Sequence, residues 1–137
     1  MVVDFEKFDE LIGEYSYELD IIKNNYNMMG KLLDKSHVKE KLFDSNIESV
    51  FIYGGDYLGI MAYQVCSEFV DVKAVIDKTG SIKVNIPGIP VIDIQEFKRI
   101  YNDEYVIISL PKYYYSIVSE LADFVPESKI IFIGKIL

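Results

Sequence analysis

Val50-Phe51-Ile52-Tyr53-Gly54-Gly55-Asp56-Tyr57-Leu58-Gly59 is the stretch that decides the fold. Val50 to Tyr53 is an unbroken apolar run of strand length, the pattern of a strand buried on both faces. Two glycines and an aspartate end it, and Gly59 leads into an apolar run, Ile60 to Phe69, long enough for a helix. Downstream the alternation repeats. Asp71 to Ile76 reads as a second strand, and Lys78-Thr79-Gly80-Ser81 as a turn before a short extended piece, Ile82 to Asn85. Pro87-Gly88-Ile89-Pro90-Val91 is extended and feeds a helix from about Asp93 to Tyr101. Tyr105 to Ser109 is another buried strand, Pro111 opens a helix reaching about Phe124, and Lys129 to Ile133 closes the series. Val/Ile runs separated by helices predict an α/β fold: a Rossmann-like parallel sheet of about four to five strands, covered by helices and joined by right-handed crossovers.

The turn carries the chemistry. A strand, Gly54-x-Asp56-x-x-Gly59 and a helix is the dinucleotide-binding arrangement with one departure. The first glycine permits a tight turn, the middle one lets backbone amides approach a pyrophosphate, and the last allows close helix–strand packing. The ligand's charge then rests on the free N–H groups of the helix N-terminus. Gly54, Gly55, Tyr57, Leu58 and Gly59 are the candidate cradle. Asp56 stands where the middle glycine belongs, and its carboxylate would repel a pyrophosphate. Two readings follow: Asp56 is part of a cradle that still binds a ligand, or it caps the helix itself and fills the anion site with protein, so that the fold is kept and dinucleotide binding is lost. Asp77, about 20 residues on at the end of the second strand, is placed to take a ribose hydroxyl pair. Ser109-Leu110-Pro111-Lys112-Tyr113-Tyr114-Tyr115 follows another strand, so it lies at the same edge of the sheet. Ser109 and Tyr113 are candidate contacts there, with Tyr113 able either to stack on a base or sugar or to cover a helix end or make a subunit contact. Tyr115 reads as cover for a helix end or a subunit contact, and Lys112 as a solvated residue able to meet a phosphate.

From about Leu42 onward, roughly two-thirds of its length, the chain resembles the Rossmann-like modules attached to bacterial surface-polysaccharide enzymes. The segments that carry the resemblance are Val50 to Gly59, Val75-Ile76-Asp77-Lys78, Gly88-Ile89-Pro90-Val91 and Val106-Ile107-Ile108-Ser109. Such modules accompany sugar acyltransferases, sugar methyltransferases and nucleotide-sugar dehydratases. The resemblance implies a binder of a nucleotide, a nucleotide-sugar or a related cofactor such as NAD(P), working beside a sugar-modifying enzyme domain. Gly54, Gly59 and Asp77 match its binding pattern, and Asp56 departs from it.

Residues 1–45 read as a helical extension and 46–137 as the α/β domain. Phe5, Phe8, Ile12, Tyr15, Leu19, Ile22, Tyr26, Met29 and Leu33 follow a 3,4 spacing, the seam of one long helix widened by Leu11 and Leu32. Gly13, Gly30 and Asn24-Asn25-Tyr26-Asn27 are weak points in it. The seam is either the face that lies on the chain's own domain or a homodimer contact. Aromatic seam positions disfavour a parallel two-stranded coil. A second helix is expected from Ser36, as cap, to about Phe43, with Val38 and Leu42 inward and His37 at the surface. The helix after the glycine turn has only a narrow polar stripe, Gln64, Ser67 and Glu68, so another element must cover its outer flank.

Composition narrows the function. Of 137 residues, 14 are Lys or Arg and 22 Asp or Glu, a net charge of -8, which argues against nucleic-acid and polybasic membrane-surface binding. One cysteine, Cys66, and one histidine, His37, leave no disulfide framework, no Cys- or His-rich metal site and no histidine triad. The acidic opening Met-Val-Val-Asp-Phe-Glu is unlike a secretory leader, and no run reaches about 20 apolar residues, so a cytoplasmic protein is expected. The leading reading is a non-catalytic nucleotide- or nucleotide-sugar-binding domain that assembles through its N-terminal helix. The alternatives are a degenerate Rossmann scaffold for assembly, and an NAD(P)-dependent sugar-modifying enzyme or a fragment of one.

Overall fold

The structure, a computed structural model, describes residues 5–78 and 87–137, except for the side chains at 5, 8, 11, 12, 15 and 18. The extended piece expected at Ile82 to Asn85 and the turn residues from Thr79 to Ser81 lie outside the described residues, as do the seam side chains of Phe5, Phe8, Leu11, Ile12 and Tyr15.

The run Val50 to Tyr53 belongs to a central strand β1 (Ser49–Tyr53), followed by a helix α3 (Tyr57–Cys66). Two helices precede them, α1 (Phe5–Leu32) and α2 (Lys35–Asp44). Then come β2 (Asp71–Ile76), β3 (Val91–Ile92), α4 (Ile94–Ile100), β4 (Tyr105–Ile108), α5 (Tyr114–Leu121) and β5 (Ile130–Phe132). The five strands form one all-parallel sheet in the order β3-β2-β1-β4-β5. This is the expected Rossmann-like α/β architecture.

Successive residues of a strand point to opposite faces, so β1 feeds two cores. Val50 and Ile52 meet Ile107 of β4 and Ile131 of β5 under α1, α2 and α3, with Leu32, Leu42 and Ile60 fully or nearly buried among them. Phe51 and Tyr53 meet Val106 and Ile108 under α4 and α5, around Phe97 and Leu121. An extra residue in β2 shifts its register, Val50 facing Val72 but Ile52 facing Val75. This bulge swaps the faces of β2, sending Val75 to the first core and Ile76 to the second.

The outer flank of α3 is covered from within the chain. The last turns of α1 pack on it, with Leu32 completely buried and Met28 and Met29 against the same core. The face that docks is not the seam read from the spacing. Ile21, Asn25 and Met28 are half-buried and Leu32 is buried, whereas Leu19, Ile22, Tyr26 and Leu33 are 40, 49, 68 and 67% exposed. One residue is about 100° of helix rotation, and α1 is turned by that step so that Leu32 enters the core. Of the seam residues whose side chains are described, Leu19, Ile22, Tyr26 and Leu33 are left along the solvent edge, and Met29 still packs on the core. The helix runs unbroken through Gly13, Asn24 to Asn27 and Gly30.

Several boundaries differ from expectation. Asp34, not Ser36, caps α2, its carboxylate accepting from the His37 N–H at 3.2 Å. Val38 and Leu42 are inward as read, and His37 is half-buried in the first turn. The helix after the glycine turn starts at Tyr57 rather than Ile60, because Asp56 supplies the cap, and it ends at Cys66 rather than Phe69. Pro111 begins a 3-10 turn (Pro111–Tyr113), and the helix proper ends at Leu121, short of Phe124. A last 3-10 turn (Ile133–Ile136) buries Ile133 and Ile136 in the first core.

Burial of Leu32 in the sheet's own core predicts that Leu32→Ala costs about 3 kcal/mol, in the range for emptying a buried leucine site. Urea unfolding checks it: the midpoint should fall with the slope unchanged. A midpoint equal to that of the parent would mean that α1 does not rest on the domain.

Candidate functional site

The sheet order reverses direction between β1 and β4, and in such sheets the carboxyl ends of the two strands open a crevice. Gly54 follows β1 and Ser109 follows β4. The Gly54 N–H donates to the Ile76 carbonyl at 2.9 Å, and Gly54 has φ +132, a conformation that favours glycine. A Cβ on Gly54 would run into the Ser109 hydroxyl and come within 2.8 Å of Leu110 Cγ. A Cβ on Gly59 would overlap the Gly54 carbonyl oxygen. The two glycines thus serve the tight turn and the close helix–strand approach for which they were singled out, and Gly55 between them is buried.

Ser109 is 1% exposed. Its Oγ donates to the Tyr53 carbonyl at 3.0 Å, with the Gly54 carbonyl at 3.4 Å, and its N–H also reaches Tyr53 O. The hydroxyl therefore ties the β1 and β4 ends together as the floor of the crevice.

Asp56 is the N-cap of α3. It has extended backbone, its Oδ1 accepts from the Tyr57 N–H at 2.8 Å, and its carbonyl accepts from the Ile60 N–H. A carboxylate at this end is favoured by the helix dipole, and it sits where an anionic ligand would dock. Of the two readings of Asp56, the capping one describes this geometry.

Two clefts open at the crevice mouth, sharing Leu110 and Tyr113 as a divider. The smaller, about 300 Å³, contains Asp77 at the end of β2 together with Gly54, Tyr53 and Glu120. The Asp77 backbone N–H donates to the Ile92 carbonyl at 2.9 Å, which holds the residue at the edge. The Tyr53 hydroxyl donates to Glu120 Oε1 at 3.1 Å, and Lys78 Nζ lies 3.9 Å from Glu120 Oε2. Burial first, then the Glu120 and Asp77 carboxylates, push the Tyr53 phenol far above its usual range, so it stays neutral and donating. Glu120 was not read from the sequence as a site residue. Helical spacing placed its neighbours Ile117 and Leu121 inward, but only the fold brings Glu120 to Asp77.

The larger cleft, about 570 Å³, lies on the other side of the divider between α1 and the turn after β4. Tyr17, Asn24 and Asn25 of α1 face Asp56, Leu58 and Lys112 across it. Lys112 Nζ is 5.8 Å from the Tyr17 ring centre and 5.6 Å from that of Tyr113. Tyr57 lines neither cleft; it is 59% exposed and borders, with Tyr26 and Met29, a hollow that adjoins the larger cleft at Asn25, Asp56 and Leu58. Tyr115 is 86% exposed and touches Tyr114 edge to face. The contribution of α1 to the crevice had no signal in the sequence, where that helix and the turn after β4 are almost ninety residues apart.

Among the described residues, no group of His, Cys, Asp and Glu could hold a metal ion, and no helix is long and apolar enough to cross a membrane. The fold and the crevice at its reversal point define a Rossmann-like α/β domain. No family model matches the chain, and no curated protein matches it either.

Cys66 lies buried on α3, and burial raises its thiol from an ordinary 9.0 to about 12. Below pH 9 the folded and unfolded chains both hold this proton; between pH 9 and about 12 only the folded one does. Stability should therefore fall over that window by up to about 1.4 kcal/mol per pH unit relative to Cys66→Ala. Parallel urea titrations of the two forms from pH 8 upward check it. A constant difference between them would show that the thiol titrates normally.

Proposed function

We propose that this chain is a non-catalytic module that binds a nucleotide or nucleotide-sugar across the carboxyl edge of its sheet. It would position that ligand for a partner enzyme of surface-polysaccharide or sugar metabolism. The observation that carries the reading is the meeting, at the reversal point of the sheet, of the Gly54–Gly59 turn with Asp77 in one cleft system. Asp77 accepts from a ribose hydroxyl pair and Tyr113 stacks beside it. Asp56 keeps phosphate away from the first turn of α3, so a diphosphate passes nearer Lys112. No catalytic step is assigned, since the single histidine, His37, lines neither cleft. A cytoplasmic setting fits, because a lone thiol such as Cys66 stays reduced there.

The test is a thermal-shift and calorimetry panel of nucleotides, nucleotide-sugars and NAD(P). A ligand at 100 times its dissociation constant should stabilise the fold by about 2.7 kcal/mol. Asp77→Ala should weaken nucleoside-containing ligands at least tenfold and leave inorganic pyrophosphate unaffected. Equal loss for both ligand types would make Asp77 a structural residue and remove the ribose assignment.

A second reading, a scaffold that assembles through α1, is favoured by one observation: the apolar seam Leu19, Ile22, Tyr26 and Leu33 is still exposed after α1 has docked. Twofold homodimers are the commonest way to bury such a stripe. Sedimentation should give a dimer for the parent chain and a folded monomer for Leu19→Lys/Ile22→Lys, which puts two charges into the seam. A parent chain that sediments as a monomer at high micromolar concentration would rule the dimer out.

A further inference from the structure

A ligand held by its ribose at Asp77 must continue past Leu110 and Tyr113, and what lies beyond them bears on what the ligand is. We propose that the larger cleft takes the sugar of a nucleoside-diphosphate sugar, with α1 as the wall that recognises it. This step rests on the nucleotide-binding reading above.

Three observations support it. The first is size and continuity. The cleft is about 570 Å³ against about 300 Å³ on the Asp77 side, and Leu110 and Tyr113 line both, so one ligand can span them. The α1 side has room for a whole pyranose joined through the diphosphate to a ribose held at Asp77.

The second is chemistry. Asn24 and Asn25 each present a carboxamide that both donates and accepts, matching hydroxyls that do the same. Asp56 adds a carboxylate acceptor between them and the turn. Tyr17 and Tyr113 keep 58 and 52% of their surface exposed, offering ring surface to the C–H face of a pyranose. A ring dense in hydroxyls can satisfy two carboxamides and a carboxylate together. The nicotinamide riboside of NAD offers two ribose hydroxyls and one carboxamide, fewer partners for these groups than a hexose ring.

The third is the geometry of α1. Tyr17, Ile21, Asn24 and Met28 follow the 4,3,4 spacing of one helix face. Met28 packs on the core of the domain, so that same face, continued one to three turns towards the N-terminus, becomes the wall of the cleft. Lys112 between the Tyr17 and Tyr113 rings joins this wall to the turn after β4.

Calorimetry tests it with the full chain. The probes are UDP, GDP and dTDP, their sugar forms UDP-glucose, UDP-N-acetylglucosamine, GDP-mannose and dTDP-glucose, and NAD. At least one sugar nucleotide should bind tenfold or more tightly than its own nucleoside diphosphate. Tyr17→Ala and Asn24→Ala should each erase most of that gain and leave the affinity of the nucleoside diphosphate within about twofold. Unchanged circular dichroism melts confirm that both variants fold. Equal affinity for each sugar form and its parent diphosphate overturns the sugar assignment while the nucleotide reading stands. NAD binding tighter than every sugar nucleotide, and weakened by Tyr17→Ala, also overturns it and gives the cleft to a nicotinamide. Binding of none of these probes fells the nucleotide reading, and the sugar assignment falls with it.

Discussion

The Gly54 carbonyl oxygen, the Cα of Gly59 and the Ser109 hydroxyl share a space that no added methyl group could enter. That contact draws the N-terminus of α3 onto the end of β1 and ties it to the end of β4. Everything at the carboxyl edge follows from it. The first turn of α3 lies near enough for Asp56 and Leu58 to line the larger cleft. Leu110, packed against Gly54, becomes the divider between the two clefts. The Ser109 hydroxyl is used up on the carbonyls of Tyr53 and Gly54, so it builds the crevice and has no further proton to give a ligand.

The electrostatics of the crevice are set by burial as much as by charge. Asp56 settles on the helix end whose N–H groups would otherwise attract an anion. On the other side Glu120 is held by the Tyr53 hydroxyl and approached by Lys78, beside Asp77. Asp56, Asp77 and Glu120 thus make the crevice rich in carboxylate acceptors, and Lys112 brings a positive charge to its larger cleft.

Helix α1 serves two purposes with adjacent faces. Its last turns bury Leu32 and rest Met28 and Met29 on the first core, which anchors the helix in register. Further towards the N-terminus the same face carries Tyr17 and Asn24 at the cleft, while the neighbouring edge leaves Leu19, Ile22 and Tyr26 exposed. An assembly contact on that edge and a ligand on the cleft face would therefore be mechanically linked through one rigid helix. The anchoring residue was the one that merely widened the apolar stripe, because a core selects a side chain by the shape it must fill and not by the regularity of the spacing.

The local pattern by itself determined the elements. Apolar runs at Val50 to Tyr53, Ala74 to Ile76 and Tyr105 to Ile108 read as strands buried on both sides, and Gly54 and Gly59 as marks of a tight turn with close packing. Burial and backbone sterics act on neighbours in the chain, so they are written in short segments. Tertiary structure alone decided which segments meet. The strand order, the bulge that swaps the faces of β2, the rotation of α1 and the arrival of Glu120 beside Asp77 and of Tyr17 beside Lys112 all depend on contacts between residues far apart in sequence. Even Asp56 was open until the turn closed, for an aspartate beside a glycine pair can leave room for a phosphate or cap a helix. The strand end and the helix end had to come together before its carboxylate had an N–H to accept from.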